Sequence, residues 1–290
     1  MAALTTRARA KVNLDLRVLA RLADGYHELD SLVAFASAGD TLTLHPGPEL
    51  SLTIGGPQGA GLEADARNLV LRAARALAEE VASLRWGRFE LVKRLPIASG
   101  VGGGSADAAA ALRLLARLND IPSGDPTLMR VAARIGADVP VCVESRARRM
   151  GGVGERLGPA LDLPPLFALL VNPGVPVETV AVFRKLGLQP GEAGPGAGRV
   201  PAEPGTDARE LAAALAASGN DLEAPARRVA PVVAQVLTAL AALPGCRLAR
   251  MSGSGATCFA LFDDCRASAT AGRALLREHP GWWVKPTLLR

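Results

Sequence analysis

The chain has 290 residues, which is long for one compact core and suits two domains. Its formal net charge of +5 suits an anionic ligand and also permits nucleic-acid binding, although one tyrosine, six phenylalanines and three tryptophans supply few rings for stacking on bases. Arginines interrupt every long apolar run, so no membrane-spanning helix is expected.

The four cysteines, at positions 142, 246, 258 and 265, show no C-x-x-C spacing. A zinc site or a disulfide framework is therefore not expected, whereas reduced thiols are. The N-terminus has no apolar signal region, because strand-like alternation begins near Thr6. These features favour a cytoplasmic protein.

The first predicted element is a strand over residues 7–18. Apolar and polar residues alternate along it, so that Lys11 and Asn13 share the polar face. Periodicity alone favours a solvated strand face over a functional site.

A turn signal follows at Asp24-Gly25. Directly after it, Tyr26 is the only tyrosine of the chain and His27 is one of three histidines. A histidine after a turn is usually an ordinary surface residue. This pair nevertheless has the chemistry to recognise a pyrimidine, because a flat ring stacks on the base while an imidazole bonds to its edge.

Two further strands are predicted over residues 40–45 and 50–54, joined by a Pro/Gly turn. Asp65 then leads a helix whose apolar residues keep helical spacing as far as Val81. In the first turn of this helix, Asn68 suits a capping role.

A predicted strand over residues 89–92 and a predicted helix over 108–118 flank the stretch 93–107, which holds four glycines and two serines. Glycine lets the backbone approach a ligand closely, and the free N–H groups that open a helix favour an anion. We therefore predict phosphate binding here, against the alternative of glycines that only relieve steric crowding. A P-loop is excluded because no lysine follows the glycines, and the dinucleotide fingerprint fails because Ser105 replaces its third glycine.

The next predicted helix begins at Asp125-Pro126 and ends at Gly136. Asp138 follows in an apolar segment that would partly desolvate a carboxylate. Position alone favours an ordinary turn aspartate. The basic cluster at 146–149 is expected on a solvated face.

An apolar strand over residues 166–171 opens the second half of the chain. Residues 187–206 are rich in Pro, Gly and Ala without periodicity, which predicts a mobile surface loop. A helical region is predicted over 220–243 with a bend or restart at Pro231. Residues 250–257 form a small-residue turn between two strands, and a last helix and strand close the chain.

Five strings in the sequence resemble motifs of the GHMP kinases, small-molecule kinases that hold ATP without a Walker lysine. Residues 10–14, 96–106 and 250–257 are similar to the three family motifs, and residues 135–140 match the family string [LI]-G-A-D-V-P. Residues 23–29, A-D-G-Y-H-E-L, resemble the R-x-D-G-Y-H signature of one branch.

Two positions depart from the family pattern. Arg9 replaces the usual proline of the first motif. No arginine or lysine directly precedes the string Gly-x-Gly-Glu that begins at Gly152, and this departure leaves the cationic contact with a diphosphate unassigned.

The resemblance implies an α+β fold with the two-domain GHMP kinase architecture. A ribosomal protein S5 domain 2-like N-terminal domain would cover residues 1–162, a ferredoxin-like C-terminal domain would cover 163–290, and the active site would lie in the cleft between them. The mobile loop 187–206 would belong to the second domain.

The branch implies an ATP-dependent kinase that phosphorylates the 2-hydroxyl of 4-diphosphocytidyl-2-C-methyl-D-erythritol in the non-mevalonate route to isoprenoids. ATP and Mg²⁺ are the implied cofactors, and Ser105 is the candidate contact for the metal. The implied partner is a small-molecule cytidine diphosphate, without nucleic acid or membrane, and the protein is expected to be a monomer or a weak homodimer.

The resemblance also implies roles for individual residues. Asp138 would be the catalytic base, and Lys11 would lie beside the phosphoryl acceptor. The implied ATP-binding residues are Asn68, Lys93, Pro96, Ile97, Ala98, Ser99, Gly100, Val101, Gly102, Gly103, Gly104, Ser105 and Ala106. The implied substrate-binding residues are Asn13, Tyr26, His27, Thr179, Phe183, Ser252, Gly253, Ser254 and Gly255.

Two alternatives remain open at this point. Another GHMP kinase, acting on mevalonate or homoserine, would share the motifs but not the D-G-Y-H signature. A basic RNA-binding protein would draw on the net charge of +5, although the sequence holds no RRM, KH or helix-turn-helix pattern.

Overall fold

The structure is a computed structural model that describes residues 2–199, 201–202 and 207–290. The strands, in chain order, are β1 (Leu4–Asn13), β2 (Arg17–Arg21), β3 (His27–Pro46), β4 (Ser51–Gly55), β5 (Gly87–Val92), β6 (Arg148–Gly152), β7 (Arg156–Ala160), β8 (Leu166–Asn172), β9 (Leu248–Met251), β10 (Cys258–Phe262) and β11 (Trp283–Leu289). The helices are α1 (Leu69–Glu80), α2 (Gly103–Leu118), α3 (Pro126–Ile135), α4 (Val139–Glu144), α5 (Thr179–Leu186), α6 (Ala208–Ser218), α7 (Glu223–Val229), α8 (Val232–Ala241) and α9 (Cys265–Glu278).

Contacts divide the chain into two compact units, each drawn from separated stretches. The first unit comprises Met1–Ala10, Gly39–Ile97 and Gly102–Ser145, and the second comprises Lys11–Ala38, Ala98–Val101 and Arg146–Arg290. The expected domain boundary at residue 162 and the expected cleft stay predictions.

In the first unit, helices α1 to α4 pack together beside a small sheet. β5 pairs in parallel with β4 and antiparallel with the later half of β3, where Thr41 lies opposite Val92. Helix α1 packs on α2 and α3, and α4 packs on α2 and α3. Leu112, Leu114 and Leu115 of α2 are fully buried, so this helix is held on most of its circumference.

In the second unit, β8 is the central strand of an antiparallel sheet. It pairs with β10 on one side and with β11 on the other, and β9 pairs with β10. The first half of β3 pairs with β2 and β6 and meets β11 at Ala36 opposite Leu289. One face of the sheet and helices α7 to α9 share an apolar core that includes Leu169, Phe262 and Leu240.

The predicted strand over residues 7–18 is two strands, and its polar face is exposed at Arg7 but buried from Lys11 onwards. β1 ends at Asn13 and β2 begins at Arg17. Lys11, Asn13, Asp15 and Arg17 are all at most 7% exposed. The reason is that β3 offers polar partners: Asn13 donates to the Ser31 hydroxyl at 2.7 Å, and Asp15 accepts the N–H of Leu32 at 2.5 Å.

The segment 187–206, expected to be a mobile loop, is only partly described, because residues 200 and 203–206 lie outside the described residues. Its earlier part forms backbone hydrogen bonds along β2, from Gly194 to Leu19 at 2.8 Å and from Gly196 to Val18 at 2.9 Å. Its mobility stays a prediction.

No helix within the described ranges combines the length and the hydropathy needed to cross a membrane.

Candidate active site

The glycine-rich stretch enters helix α2 with its first N–H groups uncapped. Gly102 occupies the N-cap position in the left-handed region at φ 63°, and no side chain caps the helix. Hydrogen bonds within the helix start with the N–H of Ala106, which donates to the carbonyl of Gly102 at 2.8 Å. Gly104 is exposed and Ser105 is half-buried. Gly103 is buried, so the N–H groups of Gly104 and Ser105 are those available to an anion, which the helix dipole also favours.

In the second unit, the turn 98–101 packs on the turn 252–257. Thr257 donates its N–H to the carbonyl of Ser99 at 3.0 Å, and the Ser252 hydroxyl donates to the carbonyl of Gly100 at 3.2 Å. Gly100 has φ +76°, and a Cβ there would lie 2.6 Å from the carbonyl oxygen of Gly255. The two backbone turns approach so closely that only glycine fits at this position.

β1 ends beside these turns. The N–H of Lys11 donates to the carbonyl of Val101 at 3.0 Å, and the N–H of Asn13 donates to the Ser252 hydroxyl at 3.1 Å. The Asn13 side chain is 2% exposed, and its Oδ1 has no hydrogen-bond partner among the described residues. A buried acceptor without a partner is costly, so this atom is suited to a donor from a ligand.

Lys11 and Asp138, the two predicted catalytic residues, lie in different units. Lys11 is 3% exposed in β1. Asp138 is half-buried at the N-cap of α4, where the chain turns after the C-cap Gly136 of α3. Their pairing stays a prediction.

A cavity of about 840 Å³ opens in the second unit around the predicted pyrimidine residues. The rings of His27 and Phe183 stack with centroids 4.5 Å apart and planes 27° from parallel. The Tyr26 side chain is 64% exposed and lines the same cavity, as do Thr179 and Arg184. The pattern of this cavity, aromatic rings with a few polar groups, is typical of a small-molecule site.

The charged form of His27 is disfavoured in this cavity, and the ring holds a polar atom without a partner. Burial, and then the nearby Arg21 guanidinium, lower the pKa of His27 from its usual value of 6.5. Its Nε2 is buried and has no hydrogen-bond partner among the described residues. This nitrogen without a partner is suited to a donor or acceptor of a bound base.

Further predicted substrate residues connect this cavity with the turn 252–257. The hydroxyls of Thr179 and Ser254 lie 2.8 Å apart, with Thr179 as the first residue of α5. Gly253 has φ +56°, and a Cβ there would lie 3.3 Å from Oδ1 of Asn13. The second unit thus brings together all nine predicted substrate-binding residues around the cavity and the adjoining turn.

Lys93 and Asn68 have structural partners of their own. The Lys93 ammonium lies 2.6 Å from Oδ2 of Asp40 and 2.7 Å from Oδ2 of Asp107, and the side chain is 3% exposed. Burial alone would lower the pKa of Lys93, but Asp107 and Asp40 outweigh burial and raise it. Asn68 caps α1 by accepting the N–H of Val70 at 3.0 Å. These contacts favour structural roles over nucleotide contacts, which stay predictions.

Part of the basic cluster at 146–149 lies in strand β6, and its side chains are not all solvated. Arg149 lies 3.3 Å from Oδ2 of Asp15 and 3.5 Å from Oδ1 of Asp30. Asp15 is fully buried, and burial raises its pKa, against the opposing effects of Arg149 and the N–H of Leu32. Sequence reasoning did not single out Asp15, although the alternation of residues 7–17 placed it on the same face as Lys11 and Asn13.

The described residues suit a metal ion that is bound mainly by the phosphates of a nucleotide. They suit a site built from protein ligands alone less well. Among them, no group of three or more His, Cys, Asp or Glu side chains is arranged to hold an ion. Ser105 lies in the uncapped first turn of α2, and hydroxyl and phosphate oxygens are ligands that Mg²⁺ accepts. Ser105 stays the candidate metal contact.

Two family models match the chain. GHMP kinases N terminal domain matches residues 68–146, and GHMP kinases C terminal matches residues 202–280. A 4-diphosphocytidyl-2-C-methyl-D-erythritol kinase of Methylobacterium radiotolerans is 58% identical, covering 100% of both chains. A protein of the same name from Azorhizobium caulinodans is 54% identical, again over 100% of both chains.

Solved structures agree with these relatives. A crystal structure of 4-(cytidine 5′-diphospho)-2C-methyl-D-erythritol kinase is 36% identical with a TM-score of 0.75, covering 98% of this chain and 99% of that one. A homoserine kinase from Cytophaga hutchinsonii is 18% identical with a TM-score of 0.70, covering 99% and 95%. The latter likeness concerns the fold alone, and the predicted α+β two-domain architecture is confirmed.

Proposed function

The chain belongs to the GHMP kinase family, and on this premise we propose that it is an ATP-dependent kinase that phosphorylates the 2-hydroxyl of 4-diphosphocytidyl-2-C-methyl-D-erythritol. The observation that carries the choice of substrate is the cavity around His27, which holds a stacked aromatic ring and an unpartnered buried Nε2. The full-length identity of 54–58% with relatives that carry this kinase name supports the same choice.

The cavity supplies what a cytosine ring needs. Phe183 and the exposed ring of Tyr26 offer flat surfaces for stacking, and aromatic pairs of this kind contribute about 0.5–1.5 kcal/mol beyond area burial. In the neutral form of His27, which burial favours, Nε2 accepts a hydrogen bond in one tautomer and donates one in the other. A base that pairs with it would relieve the cost of leaving that atom unsatisfied.

We assign the nucleotide phosphates to the glycine-rich segment. The uncapped N–H groups of Gly104 and Ser105 would bind phosphate oxygens, and the glycines keep the surface free of side chains. Of the implied cofactors, ATP supplies the transferred phosphoryl group, and Mg²⁺ would bridge its phosphate oxygens and offset their charge. Ser105 would provide the protein contact with that ion.

We assign the transfer step to Lys11 and Asp138. The acceptor oxygen forms a bond to the γ-phosphorus as the bond from that phosphorus to the bridging oxygen of ADP breaks, and the hydroxyl proton passes to the Asp138 carboxylate. Lys11 would offset the negative charge that grows at the acceptor. An ordinary aspartate is a weak base for an alcohol, so placement of these groups matters more than basicity.

The buried Asn13 Oδ1 is suited to a hydroxyl of the acceptor, since it lacks a partner among the described residues and lies beside Gly253. Ser252, Ser254, Gly255 and Thr179 would form the remaining wall. We further propose that the protein acts on this small molecule without nucleic acid, and as a monomer or weak homodimer.

Replacing His27 tests the choice of substrate. We expect His27→Ala to lower kcat/KM for the cytidine substrate by about 10-fold to 100-fold, the scale of one lost hydrogen bond plus a stacking partner, while basal ATPase activity is unchanged. The matched control is His279→Ala, because His279 also stacks on an aromatic ring, Trp282, with centroids 3.8 Å apart, outside the cavity. Equal kcat/KM in the two variants would contradict the proposal.

A further inference from the structure

Lys93 lies at the entry of the glycine-rich segment, and its ammonium group joins two carboxylates from distant parts of the first unit. Asp40 comes from β3 and Asp107 from the second turn of α2. The ammonium donates to both, at 2.6 Å and 2.7 Å. All three residues are at most 3% exposed, so water does not compete for these bonds.

The same cluster holds the backbone before the glycines. Oδ1 of Asp40 accepts the N–H of Arg94 at 2.5 Å and the N–H of Leu95 at 2.8 Å. A single carboxylate therefore fixes the chain directly after Lys93 through one oxygen and binds the Lys93 ammonium through the other.

The cluster also touches the start of α2. A Cβ on Gly103 would lie 3.1 Å from Nζ of Lys93 and 3.7 Å from Cβ of Leu95. The first residue of the helix thus packs directly on the ammonium group, while Asp107, one turn further, is bonded to it. Both ends of the segment 96–102 are anchored in one buried ionic cluster.

We infer that the Lys93–Asp40–Asp107 cluster is a positioning device, which sets the first turn of α2 for the ATP phosphates and makes no contact with the nucleotide itself. This inference rests on the proposed function and changes the role expected for Lys93. Hydrogen bonds at a buried ion pair are geometrically demanding, so they hold the helix start more rigidly than glycines alone allow. An uncapped turn binds phosphate well only when its N–H groups are already in place.

The variant Asp107→Leu tests the link to α2. It removes the acceptor on the helix but leaves Lys93 and Asp40 as a balanced ion pair. We expect the affinity for a non-hydrolysable ATP analogue, measured by calorimetry, to fall at least fivefold. The KM for ATP should rise more than kcat falls, and the affinity for cytidine 5′-diphosphate should stay within twofold of wild type.

Two control variants separate positioning from general damage. Asp107→Asn keeps an acceptor oxygen and should bind the analogue within twofold of wild type. Asp263→Asn removes an exposed partner of Arg247, where both side chains are 54% exposed, and should change nothing. If Asp107→Leu does not fold, the smaller exchange Asp107→Ala replaces it, which also keeps the Lys93–Asp40 ion pair, with the same expected loss.

The results distinguish this inference from the proposed function. A folded variant without the Asp107 acceptor that binds the ATP analogue with less than a fivefold loss overturns the inference and leaves the kinase assignment intact. Failure of the wild-type protein to bind the analogue overturns the kinase assignment itself.

Discussion

Asn13 and His27 each keep a buried side-chain atom without a hydrogen-bond partner among the described residues, a property that they share with His45, Asp107 and several arginines. Leaving such an atom unsatisfied costs about 1–3 kcal/mol. Sites that persist at this cost are suited to atoms that a ligand supplies. Both residues border the turn and cavity assigned to the cytidine substrate, so these two atoms lie where the substrate is proposed to bind.

Replacement of the proposed catalytic pair tests its role. We expect Lys11→Ala and Asp138→Ala each to lower kcat by at least about 100-fold, the scale of one general-base contribution, with smaller changes in the KM for ATP. The control is Lys285→Ala, because Lys285 is exposed on β11. Steady-state kinetics measure the effect, and a normal kcat in either catalytic variant would refute the assignment.

His27 should titrate at lower pH than an exposed histidine, because burial and the Arg21 guanidinium both disfavour its charged form. Asp24 and Arg184 line the same cavity. Since the folded-state pKa of His27 lies below the unfolded value, its contribution to stability is complete above pH 6.5 and is lost as the pH falls through the folded-state pKa.

An NMR titration measures this property. The His27 signal, assigned with His27→Gln, should show a midpoint below 6.5, and Arg21→Gln should move that midpoint upwards. A midpoint at or above 6.5 would contradict the described environment of the ring.

Single residues show how far sequence reasoning reaches. The adjacency of Tyr26 and His27 predicted a site for a flat base, and the structure brings both to one cavity. The family resemblance implied that Lys93 binds the nucleotide, but its partner Asp40 is 53 residues away in the sequence. Local patterns carry no information about such a distant carboxylate.

At the scale of elements, the turn 98–101 and the turn 252–257 approach each other closely at their glycines. Gly100 and Gly255 both have positive φ, and the carbonyls of Ser252 and Gly255 would obstruct any side chain on Gly100. The turn that follows β9 is thus fixed against the turn that precedes α2 in the chain. This close contact explains why small residues recur at both places.

Gly100→Ala should therefore be more harmful than an ordinary glycine replacement. Gly174 provides the matched control, because it has the same φ of +76° but no atom within 4 Å of the position that a Cβ would take. Both variants carry the left-handed penalty of about 1–2 kcal/mol, and Gly100→Ala adds a clash of about 1–3 kcal/mol.

Thermal unfolding and the KM for ATP measure the difference. Gly100→Ala should have the lower melting temperature of the two and the higher KM for ATP. Equal melting temperatures and equal KM values would show that the two turns do not depend on their close approach.

Elements with strong local signals were predicted well. Helix α3 begins at Pro126 after the capping Asp125 and ends at the C-cap Gly136, as the sequence indicates. The helical region restarts after Pro231, also as predicted. The first half of β3 was missed, because residues 31–36 are buried on both faces and show no alternation.

At the scale of the whole molecule, five short strings in order predicted the family, and matches along the full chain confirm it. Composition alone could not distinguish a nucleotide kinase from an RNA-binding protein, since a net charge of +5 suits both. Each unit combines stretches that are far apart in the sequence, so a division of the chain into two contiguous segments does not describe the units. Residues 11–38 join the second unit although they precede most of the first.

The central claim is that the cytidine cavity selects the acceptor. The most direct measurement is ADP release with 4-diphosphocytidyl-2-C-methyl-D-erythritol, mevalonate and homoserine as separate acceptors, with the product identified by mass spectrometry. We predict a kcat/KM for the cytidine substrate at least about 1000-fold above the other two, because a site with unpaired polar groups rejects molecules that cannot pair with them. Phosphorylation of mevalonate or homoserine at an equal or greater kcat/KM would contradict the account.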